Sequence, residues 1–378
     1  MRTETRFKFN AYLTQLANIN GVPVGDVTAK FTVEPSVAQK LVDRVQESSG
    51  FLKLINMVIV PEQSGERLGM GIGGTIAGTT DTTVKDREAI DPTYIDGEEF
   101  KCTQTNFDTV LRYEKLDLWA KFQDFQKRIR NAIIQRQALD HIMIGFNGVK
   151  REKTSNREQF PLLQDVNIGW LEKIRQESPV HVISNVMDEE GNVISAIIKV
   201  GDGGTFNNLD ALVYAAVNEK IAVQYQDDTE LVVICGRALL ADKYFPLINQ
   251  SQPNTEKLAA DLIISQKRIG GLPAVRAPFF PANALLITRL DNLSIYIQEN
   301  TRRRSVIDNP KRDRVESFES VNEAFVVEDY DCTCLVENIK LLPGGEPEDK
   351  SVSDAEAERF ALIAAKVVEA MKTAEAGS

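Results

Sequence analysis

Cysteine and histidine are both rare in this sequence, which has four cysteines and two histidines among 378 residues. A disulfide scaffold needs a much higher density of cysteine, so the sequence excludes that class of protein. Cys332 and Cys334 have one residue between them, and no further cysteine or histidine lies near enough in sequence to complete a zinc site. We therefore predict buried strand thiols, no metal site and no cofactor.

The scarcity of histidine also limits nucleophilic catalysis, because a serine or cysteine nucleophile needs a neighbouring base. His141 falls within a predicted helix and His181 near a predicted strand start, and no G-x-S-x-G motif is present. Paired acids such as Asp227 and Asp228 occur in turn-like contexts, where solvated carboxylates are the ordinary interpretation. General acid–base use of such pairs stays open, but nothing converges on it, and we predict no catalytic residue.

Long apolar runs are absent as well. No stretch approaches the roughly 18–20 consecutive apolar residues of a membrane span. The N-terminus carries scattered charges where a signal peptide would have an apolar run. The formal net charge of −11 disfavours a dedicated nucleic-acid binder. We expect a soluble protein made in a reducing cytoplasm.

The N-terminal residues predict a short amphipathic helix on a tether. Apolar side chains recur at helical spacing through residues 6–20, and Gly21 and Pro23 end the run. The stretch that follows, GVPVGDVTAKFTVEPS, is rich in helix breakers. Because a helix on such a tether is accessible, we expect a detachable element.

Residues 60–113 predict a long hairpin-like arm. Glycine and threonine dominate its first half, acidic and turn-forming residues follow, and strand-like alternation returns at CTQTNFDTVLRYEKL. This arm contains five glycines that we single out: Gly69, Gly71, Gly73, Gly74 and Gly78.

Three of these glycines, Gly69, Gly71 and Gly74, have the G-x-G-x-x-G spacing of a dinucleotide-binding loop. Such a loop needs a strand directly before it and a helix directly after it, because the helix N-terminus holds the phosphate. The preceding PEQSGERL and the following TIAGTTDTT predict neither element. The glycines are better explained as parts of a flexible arm.

Residues 116–146 give the strongest helical pattern in the chain, without proline and without glycine before Gly145. At 1.5 Å per residue such a helix is a rod of roughly 45 Å, long enough to act as a spine for packing. The predicted apolar stripe consists of Trp119, Phe122, Phe125, Ile129 and Ile133.

The second half of the chain predicts a compact α/β region with LVVICG as a buried strand, followed by strands ALLITRL and LSIYIQE and a last pair of strands within residues 321–342. A buried strand followed by a helix also suits a cytosolic α/β enzyme that binds a phosphate-bearing ligand, which is the alternative function. Arg302–Arg304, with Lys311 and Arg312, form a basic cluster flanked by Asp308, Asp313 and Glu316. This pattern favours inter-subunit ion pairs over nucleic-acid binding.

After Pro343 the sequence changes to an acidic linker. Ser353 and Glu356 have the spacing of a capping box, and an alanine-rich amphipathic helix is predicted over residues 355–371.

Several long strings carry a family likeness: TRFKFNAYLTQLANING, AKFTVEPSVAQKL, LDLWAKFQDFQKRIRNAIIQRQALDHIMIGFNGVKR, LLADKYFPLIN, LAADLIISQKRIGGLPAVRAPFFP and FVVEDYDCTCLVE. These strings resemble the major capsid protein of the P-two group of tailed bacteriophages (peduovirus type). The resemblance runs from Met1 to about Leu341 and is far more specific than any short motif. The segment after Pro343 goes beyond the family pattern.

The resemblance implies an α+β fold of the Hong Kong ninety-seven type, whose subunits build the pentamers and hexamers of an icosahedral procapsid around a double-stranded DNA genome. The boundaries that it implies are 1–31 for a precursor segment, 32–59 for an N-terminal arm, 60–113 for an extended loop, 114–204 for a peripheral domain with the spine helix, 205–285 for an axial domain, 286–342 for the return strands and 343–378 for the linker and C-terminal helix. The arm glycines would then serve a loop that bends differently at non-equivalent positions.

The family's capsid proteins are made as precursors, and a phage protease removes the N-terminal segment. The matching place is the stretch around Ala29–Thr32, where we expect scission between Phe31 and Thr32. The implied partners are further copies of this chain, an internal scaffold protein, the maturation protease and the portal. The implied location is the virion, after assembly in the bacterial cytoplasm, without enzymatic activity, cofactor or membrane contact.

Overall fold

The computed structural model describes residues 1–66, 71–72, 77–89, 93–94, 99–122, 125–187, 192–236, 238–240 and 267–342. Its α-helices are α1 (Thr3–Asn20), α2 (Pro35–Ser48), α3 (Tyr113–Trp119), α4 (Phe125–Asn147), α5 (Trp170–Glu177), α6 (Leu209–Lys220) and α7 (Val223–Gln226). Its strands are β1 (Phe31–Thr32), β2 (Asn56–Val60), β3 (Ser64–Glu66), β4 (Gly71–Ile72), β5 (Thr93–Tyr94), β6 (Glu99–Lys101), β7 (Thr103–Asn106), β8 (Thr109–Arg112), β9 (Val182–Ile183), β10 (Val186–Met187), β11 (Val193–Ser195), β12 (Ile198–Val200), β13 (Leu231–Cys235), β14 (Arg268–Ile269), β15 (Leu272–Arg276), β16 (Leu285–Arg289), β17 (Leu293–Gln298), β18 (Arg303–Asn309), β19 (Arg314–Val327), β20 (Cys334–Val336) and β21 (Ile339–Leu341).

The larger sheet is built around β19, a strand of 14 residues. β18 pairs antiparallel with residues 314–320 of β19, and β17 pairs antiparallel with residues 323–327. β8 pairs with residues 314–317, and since these residues also pair with β18, the two partners lie on opposite edges. β7 pairs with residues 320–323. β1 extends the sheet beyond β18, and β2 extends it beyond β17.

A smaller mixed sheet has the strand order β14-β15-β13-β16-β20-β9. All five residues of β13 are buried, as its continuous apolar run predicts. Helix α6 covers this sheet with Leu212 and Val213, which lie in the same apolar cluster as Leu231 and Val233 of β13. The side chain of Asn208 caps α6 by accepting a hydrogen bond of 2.8 Å from the Ala211 N–H.

The two sheets and helices α4 and α5 share an aromatic core around Trp170, which is fully buried. Its indole N–H donates to the Ser294 carbonyl at 2.9 Å, and its ring packs edge-on against Phe146 and Phe325. Gly145 of α4 lies directly against this ring, so that a Cβ at that position would overlap it. The close crossing of α4 and α5 therefore requires glycine at position 145.

The prediction of one continuous helix over residues 116–146 is wrong. Helix α3 ends at Trp119, residues 120–122 form a turn in which the Phe122 N–H donates to the Trp119 carbonyl, and α4 begins at Phe125. The Lys8 ammonium donates to the Ala120 carbonyl at 2.5 Å, so the end of α3 is bound to α1. This tertiary contact outweighs the local helical pattern. Helix α4 has 23 residues, about 35 Å at 1.5 Å per residue.

The predicted stripe of the spine helix is correspondingly displaced. Trp119 is 37% and Phe122 48% exposed, whereas Ile129 and Ile133 are half-buried. The placement of the Phe125 side chain lies outside the described part of the chain. The fully buried stripe of α4 lies further along the helix, at Ile134, Ala138 and Ile142.

Strands form within residues 321–342 as predicted, but they do not pair with one another. β19 belongs to the larger sheet and β20 to the smaller one, while β21 pairs in parallel with β12. The chain passes between sheets after Val327, where the Asp329 N–H donates to the Asn292 side chain at 2.7 Å. A sequence of apolar residues predicts strands but not which sheet each one joins.

Replacing Gly145 with alanine tests the crossing of α4 and α5. The added methyl must displace the Trp170 ring, and we expect the free energy of unfolding to fall by about 1–3 kcal/mol or more, the usual cost of overpacking. The measurement is a urea unfolding curve of the unassembled subunit. Gly25→Ala is the matched control, because nothing lies within 4 Å of its Cβ position, and a loss there as large as that of Gly145→Ala would contradict the explanation.

Candidate assembly and processing surfaces

The N-terminal helix α1 packs against the larger sheet and α3. Phe9, Leu16 and Ala17 of α1 are buried in an apolar cluster with residues of α3, β18 and β19: Tyr113, Leu116, Val306 and Val315. Gly21, in the left-handed conformation at φ 63°, ends α1 as the sequence predicts. The segment that we expect to be detachable is thus part of a core.

Polar side chains in the first and third turns of α1 bind the helix to β18. The Arg6 guanidinium pairs with the Asp308 carboxylate, which also accepts a hydrogen bond from the Tyr113 hydroxyl. Burial, together with donation to Asp308, raises the pKa of Tyr113. The Arg304 guanidinium donates to the Tyr12 hydroxyl at 3.1 Å. These contacts join residues nearly 300 positions apart in the sequence.

The prediction that the basic cluster makes inter-subunit ion pairs is wrong for Arg302 and for the flanking acids Asp308 and Glu316, which have partners within the chain. Arg302 is buried and pairs with Glu319 within the chain, and Asp308 is engaged by Arg6. Glu316 pairs with Arg314 at 2.6 Å. The reason is that partners of opposite charge lie close together within the fold. Arg302 directly precedes β18 and reaches Glu319 on the neighbouring β19. Arg314 and Glu316 are two residues apart on the same face of β19.

The candidate scission bond lies within a β-ladder. Phe31 and Thr32 form β1 and pair with Arg304 and Arg303 of β18. Phe31 is 8% exposed, because its ring fills the same apolar cluster that holds α1, while residues 28–30 are exposed. The expectation of an accessible tether is therefore met just before the bond but not at Phe31 itself.

The base of the arm is an antiparallel hairpin. β3 pairs with β6, and further out Gly71 pairs with Tyr94 in the β4–β5 pair. Gly78 has nothing within 4 Å of its Cβ position. Gly69, Gly73 and Gly74 lie outside the described residues.

No helix occurs in residues 77–89, the described stretch that follows the glycines. The helix N-terminus that a dinucleotide site requires is therefore missing from that stretch.

Three large apolar side chains stand on the surface at the end of α3. Leu118 is 60% exposed, and Trp119 and Phe122 lie beside it in sequence with exposed faces. The Arg128 guanidinium lies over the Phe122 ring at 4.7 Å, which leaves the ring in place but does not bury it. A patch of this kind is typical of a contact surface between proteins.

A buried ion pair that the sequence does not reveal joins α4 to β19. His141 and Glu323 are both almost fully buried, and His141 Nε2 lies 2.8 Å from a Glu323 carboxylate oxygen. His141 Nδ1 lies 2.7 Å from the Gln137 carbonyl oxygen. When Glu323 is ionised, both neighbours accept hydrogen bonds, both ring nitrogens donate, and the ring is an imidazolium. Burial alone lowers the pKa of His141, but Glu323 outweighs it and the pKa is raised.

The described residues offer little chemistry for catalysis. All four cysteines are buried as expected, and burial raises their thiol pKa to about 11 for Cys102 and Cys235 and about 12 for Cys332 and Cys334. The Ser178 hydroxyl lies 2.7 Å from His181 Nδ1, but within the described chain no carboxylate hydrogen-bonds the other ring nitrogen.

The described residues contain neither a cluster of metal ligands nor a helix that could span a membrane. Within the described ranges, no group of three or more His, Cys, Asp or Glu side chains is placed to hold a metal ion. None of the helices that the structure describes combines the length and the apolar character needed to cross a membrane.

Comparisons with known proteins give one consistent result. A family model described as "Phage major capsid protein, P2 family" matches residues 8–339. The chain is 58% identical over 342 residues to the capsid protein of Escherichia phage P2, covering 90% of this chain and 96% of that protein. It is 40% identical over 356 residues to the major capsid protein of Serratia phage KSP20, covering 92% and 99% of the two chains. Among solved structures, a chain of the satellite phage P4 procapsid, which includes the size determination (Sid) protein, matches with a TM-score of 0.76 and 54% identity over 91% of this chain and 100% of that one.

The His141–Glu323 pair predicts how stability depends on pH. The pKa of His141 is raised above its ordinary value of about 6.5, so its contribution to the free energy of unfolding is complete below about pH 6.5 and is lost as the pH rises through the folded-state pKa. His181 acts in the opposite sense, because burial lowers its pKa. In the His181→Gln variant, we expect the free energy of unfolding, measured with urea, to fall as the pH rises above about 6.5 because of His141.

Adding Glu323→Gln to His181→Gln removes the carboxylate that raises the pKa of His141, and we expect the slope above about pH 6.5 to disappear. An unchanged slope in this double variant would mean that another group causes it.

Proposed function

The chain belongs to the P2 family of phage major capsid proteins and has the Hong Kong ninety-seven-like capsid fold, and on that premise we propose that it is a precursor subunit that assembles into the pentamers and hexamers of an icosahedral procapsid. The observation that carries the proposal is the match to the P2 capsid protein over almost the full length of that protein. The 54% identical chain from the P4 procapsid supports a procapsid for this chain as well. The finished protein resides in the virion.

Assembly proceeds through heterologous contacts that close into rings, in which one surface of each copy meets a different surface of the next. The extended loop, residues 60–113, is suited to such contacts because its hairpin base leaves the edges of short strands available for pairing. The apolar patch of Leu118, Trp119 and Phe122 provides a second surface for burial between copies. Residues 114–204 and 286–342 serve as the peripheral domain and residues 205–285 as the axial domain.

Maturation removes residues 1–31 by scission between Phe31 and Thr32. Protease substrates are bound as extended segments, so β1 must separate from β18 and Phe31 must leave its apolar cluster before the bond is cut. The exposed residues 28–30 give the protease a first point of access. An internal scaffold protein, the maturation protease and a portal are the further partners of this assembly.

The net charge of −11 suits a subunit whose interior surface faces packed double-stranded DNA. Because affinity for nucleic acid comes mainly from cations that neutralise phosphates, a shell with excess acidic groups holds DNA without binding it tightly. The subunit acts through its surfaces, without catalysis and without a cofactor.

Shell formation tests the proposal directly. The chain is co-expressed with its neighbouring genes, and we expect closed shells by negative-stain microscopy. Replacing residues 69–78 with a Gly/Ser segment of equal length should leave the subunit folded, by circular dichroism and urea unfolding, but abolish normal shells, because the arm loses its contact residues. Normal shells from that variant would refute the role of the arm, and small oligomers from the unaltered chain would refute the capsid function itself.

N-terminal sequencing of shell subunits tests the scission bond, and we expect mature chains that begin at Thr32. Thr32→Pro should block this cut, because proline removes the N–H and fixes the backbone that a protease pairs with. Thr32→Ser is the matched control and should be cut as the unaltered chain is. Mature chains of the unaltered protein that begin at any residue other than Thr32 would contradict the assignment.

A further inference from the structure

An apolar groove runs between α1, α2, α4 and the β18–β19 pair. It encloses a cavity of about 480 Å³, within the roughly 300–1,000 Å³ of typical binding clefts. Its walls are mostly apolar side chains from these four elements, including Leu16, Ile19, Leu41, Ile133 and Val306. Helices α1, α2 and α4 contribute to the walls of this groove, and an apolar groove between helices can accept the apolar face of another helix.

The rim of the groove is strongly basic. Lys40 and Arg44 project from α2, Lys127 and Arg130 from α4, and Arg304 from β18. The acid that lines the groove, Glu319, is already paired with the buried Arg302. In the part of the chain that the structure describes, no carboxylate lies within ion-pair distance of Lys40, Arg44, Lys127 or Arg130. An occupant that complements this groove is therefore apolar on one side and acidic beside it.

A segment with that chemistry, residues 343–378, lies outside the described residues. Residues 343–378 hold eight acidic and four basic side chains. Within residues 355–371, Phe360, Ile363, Val367 and Met371 recur at helical spacing, with three acidic and two basic side chains among them, so most of the acidic excess lies in residues 343–354. The twelve residues from 343 to 354 span up to about 40 Å when extended. A linker of that length allows residues 355–371 to lie well away from Leu342.

We infer that residues 355–371 bind in this groove as an amphipathic helix, in the same copy or in a neighbouring copy of the chain. Burial of the apolar stripe against the groove walls supplies the main stabilisation. The acids of the segment meet the cations of the rim and fix the orientation of the helix.

The groove depends on the N-terminal segment, because α1 supplies one of its walls, with residues such as Phe9, Tyr12 and Leu16. Loss of residues 1–31 would therefore dismantle the site and release the C-terminal segment. This consequence rests on the proposed maturation, whereas binding in the precursor does not. The C-terminal segment is then docked only in the immature subunit.

Hydrogen–deuterium exchange of the full-length precursor tests the inference. We expect amides of residues 355–371 to exchange at least about tenfold more slowly than in the free synthetic peptide of residues 351–376. The double variant Lys127→Glu with Arg130→Glu should remove this protection. Lys115→Glu is the control, since Lys115 is an exposed cation that does not line the groove, and it should leave the protection unchanged.

A photo-crosslinker identifies the binding site. Benzoylphenylalanine in place of Phe360 should crosslink to residues of α1, α2 or α4, and the mass of the product distinguishes one copy from two. Exchange as fast as in the free peptide, crosslinks outside the groove, or a groove protected only by a co-expressed partner protein would each overturn the inference. Shell formation is scored separately in the same preparations. Normal shells without docking would leave the capsid function standing, whereas docking without shells would support the inference and count against the capsid function.

Discussion

Strand β19 is the element on which the rest of the structure depends. Both of its edges are paired, by β18 and β17 on one side and by β8 and β7 on the other. Through these neighbours it connects the N-terminal segment, the base of the arm and β2. Burial of so long a strand also buries two of its carboxylates, Glu319 and Glu323, and an unpaired buried charge is strongly destabilising. Arg302 and His141 must therefore occupy their positions, and His141 in turn sets the position of α4 against the sheet.

Local patterns in the sequence account for some elements and not for others. The apolar run of β13 and the stop of α1 at Gly21 are predictable, because each depends on the chemistry of a few adjacent residues. The break between α3 and α4 is not, since it depends on Lys8, more than 100 residues away in the chain. The same holds for the pairing of His141 with Glu323, 182 positions apart. Neither residue type nor spacing indicates such a partner.

The candidate surfaces were predictable to a different degree. Long strings of the sequence identify the family, and the matches to phage capsid proteins confirm it. Individual contact residues are harder to recognise, because surfaces that meet another protein have nearly the composition of ordinary surface. Trp119 illustrates the difficulty: the helical pattern places it on the apolar stripe of the spine helix, but it is 37% exposed at the end of α3. The burial of Phe31 likewise follows from a strand pair that joins residues more than 270 positions apart.

The docking of α1 has a consequence for synthesis on the ribosome. Helix α1 is translated long before its binding surface, which lies on β18 and β19 beyond residue 302. At about 5–20 residues per second, roughly 15–60 s pass before that surface has been translated. During this time Phe9 and Leu16 have no native partner to cover them, and they are open to chaperones or to other nascent chains of the same kind. The N-terminal segment therefore completes its core only when translation of the chain is almost finished.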